Sequence, residues 1–327
     1  MEKLNVSVSP HVRDNITTQN IMLDVLIAMI PMCAYGIWHF GMRVLLVILV
    51  SVSSAVISEA VFQKVLGRKI LVSDFSAAVT GMIIALNMPV TIPMWMLVIG
   101  NIFAIVIVKG LYGGLGQNFM NPALAARCFM TISFTKAMTT WTLDAIATAT
   151  PLEIARNMLN EQNAMMAVNK EYFDLAACFT GKIPGAIGEV SAIAILVGAI
   201  YLLAKKIITL RIPGVYIASF VLFIIIFSPE RNNFNYVVGH LLSGGLLFGA
   251  FFMATDYVTS PKAPLGQVIY AAFIGIMNGI FRLYGASTEG ASYSILLGNM
   301  VTPLIDKYVI TTPFGLDKKV FKDKKSE

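Results

Sequence analysis

The run Phe75-Ser76-Ala77-Ala78-Val79-Thr80-Gly81-Met82-Ile83-Ile84-Ala85-Leu86-Asn87-Met88 is followed at once by Pro89-Val90-Thr91-Ile92-Pro93. At 14 residues it falls short of the roughly 20 that a bilayer-spanning helix needs, and the two prolines close it. An interrupted helix of this kind is tolerated at membrane depth only where protein or a cavity covers the backbone. An echo lies in the second half of the chain, where Tyr257-Val258-Thr259-Ser260-Pro261 parallels Pro89 to Pro93. A second pair follows in the same order, Leu111-Tyr112-Gly113-Gly114 against Leu283-Tyr284-Gly285-Ala286. Two halves of five spans each, an odd number, would enter the membrane from opposite sides. That is the inverted-repeat plan, with functional sites at the interface of the halves.

The rest of the chain agrees with a membrane setting. Hydrophobic residues make up 57% of the 327 and charged residues 13%, about half the charge of a soluble domain. Apolar runs predict an all-α polytopic membrane protein with about ten transmembrane helices, near 21–38, 44–66, 75–88, 93–111, 119–135, 187–204, 212–228, 235–254, 265–281 and 290–306. The run after Gly290, carrying Gly298 and Pro303, reads as a second interrupted helix. The expected organisation is a 1–20 cytoplasmic segment, a first repeat at 21–135, a long extracytoplasmic loop at 136–186, a second repeat at 187–310 and a basic tail at 311–327.

The formal charge is +6, but its lysines and arginines sit in short loops and at the C-terminus. Lys64, Arg68 and Lys69 follow span two, Lys109 follows span four, Lys205, Lys206 and Arg211 follow span six, and Lys262 follows span eight. This alternation orients a membrane protein with both termini in the cytoplasm, and no nucleic-acid partner is needed to explain the charge. No signal peptide is recognisable before the first run, so that span is expected to stay in the mature chain. Cys33, Cys128 and Cys178 are isolated and cannot alone supply the thiolates of an iron–sulfur cluster. No pair among His11, His39 and His240 has metal-ligand spacing.

Three features carry chemistry. Gly113-Gly114-Leu115-Gly116 leads through Asn118 to Asn121-Pro122, a glycine-rich turn entering a helix. Such a turn lets backbone approach a phosphate or flavin, and it also suits close-packed spans. Glu59, Asp74, Arg127, Asp256, Arg282 and Glu289 lie inside or beside spans, where ionisable groups are costly and mark ion paths, pairs or caps. Glu59 is the deepest acid and heads the ion-pathway candidates, with Asp256 and Asp74 near span ends where a carboxylate also caps helices. Finally, Asp144-Ala145-Ile146-Ala147-Thr148-Ala149-Thr150-Pro151-Leu152 opens an amphipathic stretch in the long loop. A proline in the first turn predicts a helix from Pro151. Its start would suit either a threonine cap or a phosphate ester.

Taken with Ser9-Pro10-His11, Ser73-Asp74-Phe75, Phe252-Met253-Ala254-Thr255-Asp256, Glu289-Gly290 and Pro303-Leu304-Ile305-Asp306, these stretches are similar, in order, to one family. The chain resembles the D subunit of the Rnf complex, an ion-translocating ferredoxin:NAD+ oxidoreductase, of which the B subunit of the Na+-pumping NADH:quinone reductase is a close relative. The resemblance implies a urea-transporter-like fold in a bacterial inner membrane. It also implies FMN joined through its phosphate to Thr150, and a second, non-covalent flavin (riboflavin) near the cytoplasmic side. Implied partners are the A, B, C, E and G subunits of the Rnf complex, a flavin transferase, and ferredoxin and NAD+ handled by other subunits. Gly113, Gly114, Asn121, Asp144, Thr148 and Pro151 join Thr150 as expected flavin-site residues. The family's attachment site commonly reads Ser-Gly-Ala-Thr, where this chain has Ala147-Thr148-Ala149-Thr150, which leaves Thr148 as the rival acceptor. Two other readings share the expected fold: a channel or transporter for a small neutral solute, and a scaffold subunit without flavin.

Overall fold

The computed structural model describes residues 17–143, 146–160, 173–230, 233–285 and 290–310. Most of it is helix, in keeping with the apolar runs. The long helices α1 (Thr18–Phe40) and α2 (Arg43–Val65) form an antiparallel hairpin across Gly41 and Met42. The short α3 (Ser76–Leu86) and α4 (Met94–Ile102) follow, and α4 continues into a π-helical stretch, Phe103–Gly110. Next comes α5 (Pro122–Ser133), running into the single turn α6 (Thr135–Met138). A two-residue antiparallel pair, β1 (Thr142–Leu143) with β2 (Ile146–Ala147), leads to α7 (Pro151–Asn160) and α8 (Leu175–Thr180). The second half comprises α9 (Ala192–Ala204), α10 (Arg211–Phe227), α11 (Phe234–Leu242), α12 (Leu246–Phe248), α13 (Pro264–Tyr284) and α14 (Ala291–Tyr308). A π-helical turn, Gly249–Met253, extends α12.

Polar caps start these helices where the apolar runs begin. The Thr17, Asn121, Ser191 and Asn233 side chains each accept a backbone N–H of the first turn of α1, α5, α9 and α11, satisfying donors the helix leaves open. Pro122 and Pro264 occupy first-turn positions, where their missing N–H costs nothing.

Each of the ten apolar runs contains helix, although by length and composition only α1, α2 and α13 among the described residues suffice to cross a bilayer. The bent pair Phe234–Leu242 and Leu246–Met253, which meets at 56°, would make a fourth. The α3 helix is as short as its sequence requires, at 11 residues or about 16 Å. The expected interruption after Gly290 is absent, since α14 runs unbroken through Pro303. Gly298 there is a contact point, where an added Cβ would collide with Ile274 and Tyr270 of α13. The break instead falls at Ser243-Gly244-Gly245, inside the run 235–254 that reads as one span. Both glycines adopt left-handed φ, +68° and +67°, conformations that a residue with Cβ rarely adopts.

Packing follows the small residues. The α2 helix lies against α3 and α4, α10 against α13, α13 against α14, and α1 against α9. Gly81 of α3 meets the backbone of Ser51 and Val52, and Gly275 of α13 meets Tyr216 and Ser219 of α10. Such close approach replaces the hydrophobic driving force that lipid removes. In α2 the buried face carries Ser51 and Glu59, while Leu46, Leu49, Ile57 and Val61 stand exposed. Large apolar side chains on the outer face, with the helix's one acid turned inward, fit a membrane setting.

Candidate functional site

The sequence-derived candidates separate to the two ends of α1, a helix of 23 residues and so about 35 Å long. At its N-terminal end a cleft of about 490 Å³ is lined by Thr18, Glu59, Arg68, Asp74, Lys109, Gly113 and Gly114. A second cavity of about 100 Å³ shares Lys109 and adds Ser76, Asn121 and Asp256. Six expected residues (Glu59, Asp74, Gly113, Gly114, Asn121 and Asp256) thus gather around one lysine that sequence reasoning assigned to a surface loop.

Lys109 sits in the last turn of the π-helical stretch and is 2% exposed. Its Nζ donates to Glu59 Oε1 at 2.7 Å and to the Ser76 hydroxyl at 2.6 Å. Asp74 accepts the Ser76 N–H at 2.9 Å and its hydroxyl at 2.8 Å, so it caps α3 and fixes Ser76 beneath Lys109 at once. Glu59 Oε2 is buried and has no hydrogen-bond partner among the described residues. Gly113 and Gly114 take left-handed φ of +120° and +101°, and Arg68 donates to the Gly113 carbonyl at 3.4 Å. Asn121 caps α5 and donates to the Met253 carbonyl at 3.5 Å. Asp256 accepts from Val258 N–H at 3.3 Å and the Thr259 hydroxyl at 3.1 Å. Burial pushes its carboxyl above the usual carboxylate range, against those two bonds.

The opposite end of α1 carries the loop. Tyr35 packs on Gly181, Ile187 on Gly36, and Thr91 donates to Thr140 O at 3.3 Å. The helix expected after Pro151 forms as α7. Thr150 caps it, its hydroxyl accepting from Glu153 N–H at 3.3 Å and its carbonyl from Ile154 N–H at 3.0 Å. Thr150 is 7% exposed, whereas Thr148 is exposed and its N–H donates to Trp141 O at 3.0 Å. Asp144 and Glu289 lie outside the described residues. Beside Thr150 and Pro151 a cavity of only about 10 Å³ is bounded by Glu189, Ser243 and Gly244. Gly244 abuts Leu152 of α7, and Gly245 abuts the Glu189 carboxylate. Arg282 donates to the carbonyls of Ser243 and Gly244, both at 2.9 Å, and also to that of His240.

A buried polar cluster, not grouped in the sequence, adjoins the Thr150 cavity through Glu189. Arg127 pairs with Glu189 and donates to Asn87 Oδ1 at 2.6 Å, at the C-terminal end of α3. Its partner Glu189 falls in the run 187–204, just ahead of α9, and hydropathy gives no reason to pair it with Arg127. Lys109 was the more legible omission, being a lysine within Phe103-Ala104-Ile105-Val106-Ile107-Val108-Lys109-Gly110.

Over residues 5–315 the sequence matches the NQR2, RnfD, RnfE family. It is 43% identical over 319 residues to the D subunit of the Na(+)-translocating ferredoxin:NAD(+) oxidoreductase complex of Acetobacterium woodii, covering 96% of each chain. The D subunit of the proton-translocating ferredoxin:NAD(+) oxidoreductase complex of Clostridium ljungdahlii is 39% identical over 322 residues, covering 95% of this chain and 96% of that one. The D subunit of the ion-translocating oxidoreductase complex of Halorhodospira halophila is 31% identical over 335 residues, covering 94% of each. Matched almost from end to end, with its helices where the apolar runs lie, the chain belongs to the NQR2, RnfD, RnfE family.

Proposed function

We propose that this chain is a membrane electron-transfer subunit of an ion-translocating ferredoxin:NAD+ oxidoreductase complex, carrying FMN as a phosphoester on Thr150. Similarity over 96% of the chain to the D subunit of one such complex supports the assignment to the complex. The observation that carries the flavin reading is Thr150 as the capping hydroxyl of α7, a helix of ten residues. A phosphate ester there meets the open N–H groups and positive dipole end of α7. The cavity beside Thr150 is far smaller than a flavin ring, so the ring would lie outside it, on the exposed Thr148 side. When bound, FMN supplies one-electron redox chemistry whose potential the surrounding protein tunes.

The chain's own residues would do the rest. The Thr150 hydroxyl anchors the phosphate, and Gly244-Gly245, held by Arg282, seats α7 on the bundle. In this reading the ten helical runs are ten spans in two inverted halves, in a bacterial inner membrane with both termini cytoplasmic. The cleft at Lys109 would then face the cytoplasm, where the second flavin would bind, and Glu59, Asp74 and Asp256 would serve ion coupling. The A, B, C, E and G subunits would supply the routes to ferredoxin and NAD+, and a transferase would load the FMN.

The test is flavin fluorescence of the denatured band on a gel, from the native host. Fluorescence present in wild type and Thr148→Ala, and lost in Thr150→Ala, is the expected pattern. A dark wild-type band would reject covalent flavin and bring the transporter and scaffold readings forward.

A further inference from the structure

We propose that the Glu59 carboxylate and the Ser76 hydroxyl form a binding site for a monovalent alkali cation, with the Lys109 ammonium as its tethered occupant between binding events. The inference rests on the ion-coupling role proposed above and names what holds the ion. Lys109 Nζ touches oxygen acceptors, Glu59 Oε1 at 2.7 Å and Ser76 Oγ at 2.6 Å. Oxygen donors are also what a hard cation takes. Ser76 spends its own proton on Asp74, so its lone pairs are the part turned to the ammonium.

Two further observations point to a ligand. Glu59 Oε2 has no partner among the described residues although the residue is 5% exposed, and a buried carboxylate oxygen left unmatched is costly. The same glutamate lines the cleft of about 490 Å³, wide enough to bring an ion with its water. Lys109 lines both that cleft and the cavity holding Asp256, so a displaced ammonium has a second carboxylate within its own cavity. The exchange replaces one positive charge by another at the Glu59 and Ser76 oxygens. Lys109 lies in the last turn of a π-helical stretch, and π-bulges are frequent at functional sites.

The intact complex tests this in NaCl against choline chloride at equal ionic strength. In wild type, Na+ should raise amine-reagent labelling of Lys109 severalfold, read by peptide mass spectrometry, because the ammonium leaves its buried pair. In Lys109→Met, Na+ should raise the thermal unfolding midpoint by a few degrees, since a ligand bound only to the folded state stabilises it. That shift should vanish in Lys109→Met with Glu59→Gln. Equal labelling in both salts, or a Na+ shift that survives Glu59→Gln, overturns the site. An FMN-bearing complex that transfers electrons but fails both tests overturns this inference alone and leaves the redox reading standing.

Discussion

Glu59 and Lys109 are each unfavourable alone in a buried setting and tolerable only together. Removing one partner of a buried ion pair typically costs about 3–5 kcal/mol, because the other charge is left uncompensated. In choline buffer Lys109→Met should therefore destabilise strongly, Glu59→Gln somewhat less, and the double variant should recover most of the loss. Thermal unfolding of all four proteins supplies the double-mutant cycle, and additive losses would show that the pair is not coupled. At this scale the sequence was half legible. Glu59 stood out because it lies deep in an apolar helix. Lys109 was misplaced because counting lysines for orientation treats each as a surface charge, whereas this one lies 3% exposed at its side chain. Asp74 and Asp256 cap local backbone and also line the cavities around Lys109, so capping and ion coupling are compatible roles for them.

At the scale of elements, the break between α11 and α12 positions the loop. Gly245 holds φ +67°, and a Cβ there would strike the Glu189 carboxylate. Gly245→Ala should cost about 1–2 kcal/mol from the left-handed backbone alone, with more from the displaced Glu189 and its Arg127 pair. Gly214, in α10 with open space about it, is the control. Gly214→Ala should be neutral or stabilising by up to about 1 kcal/mol. Equal midpoints for the two alanine variants would contradict this role for Gly245. Gly275→Val should fail for another reason, since Ser219 and the Tyr216 carbonyl of α10 fill the space a side chain would need. Detergent-solubilised protein should show loss of the folded monodisperse peak. The short α3 was readable because prolines bound it. Ser243-Gly244-Gly245 was passed over because apolar residues continue on both sides, and hydropathy does not register two left-handed residues. Gly298 misled in the opposite sense, as a close contact inside a continuous helix.

For the molecule as a whole, the two proposed sites lie at opposite ends of one membrane bundle. The native cysteines are all buried, so introduced ones give a clean signal. Lys69→Cys in the cleft loop should react with a membrane-impermeant thiol reagent only from the cytoplasmic side, and Thr180→Cys at the end of α8 only from the other. Labelling of both from one side would refute the two-ended arrangement. Fold class and helix placement were legible because apolar run length is a direct physical requirement of the bilayer. The meeting of Arg127 with Glu189 was not, because it depends on how distant segments pack. The covalent flavin on Thr150 can be weighed directly, in a mass spectrum of the 144–156 peptide from the native complex. The peptide should be heavier by one esterified FMN, with fragmentation placing the group on Thr150. An unmodified peptide, or a group placed on Thr148, would contradict the claim.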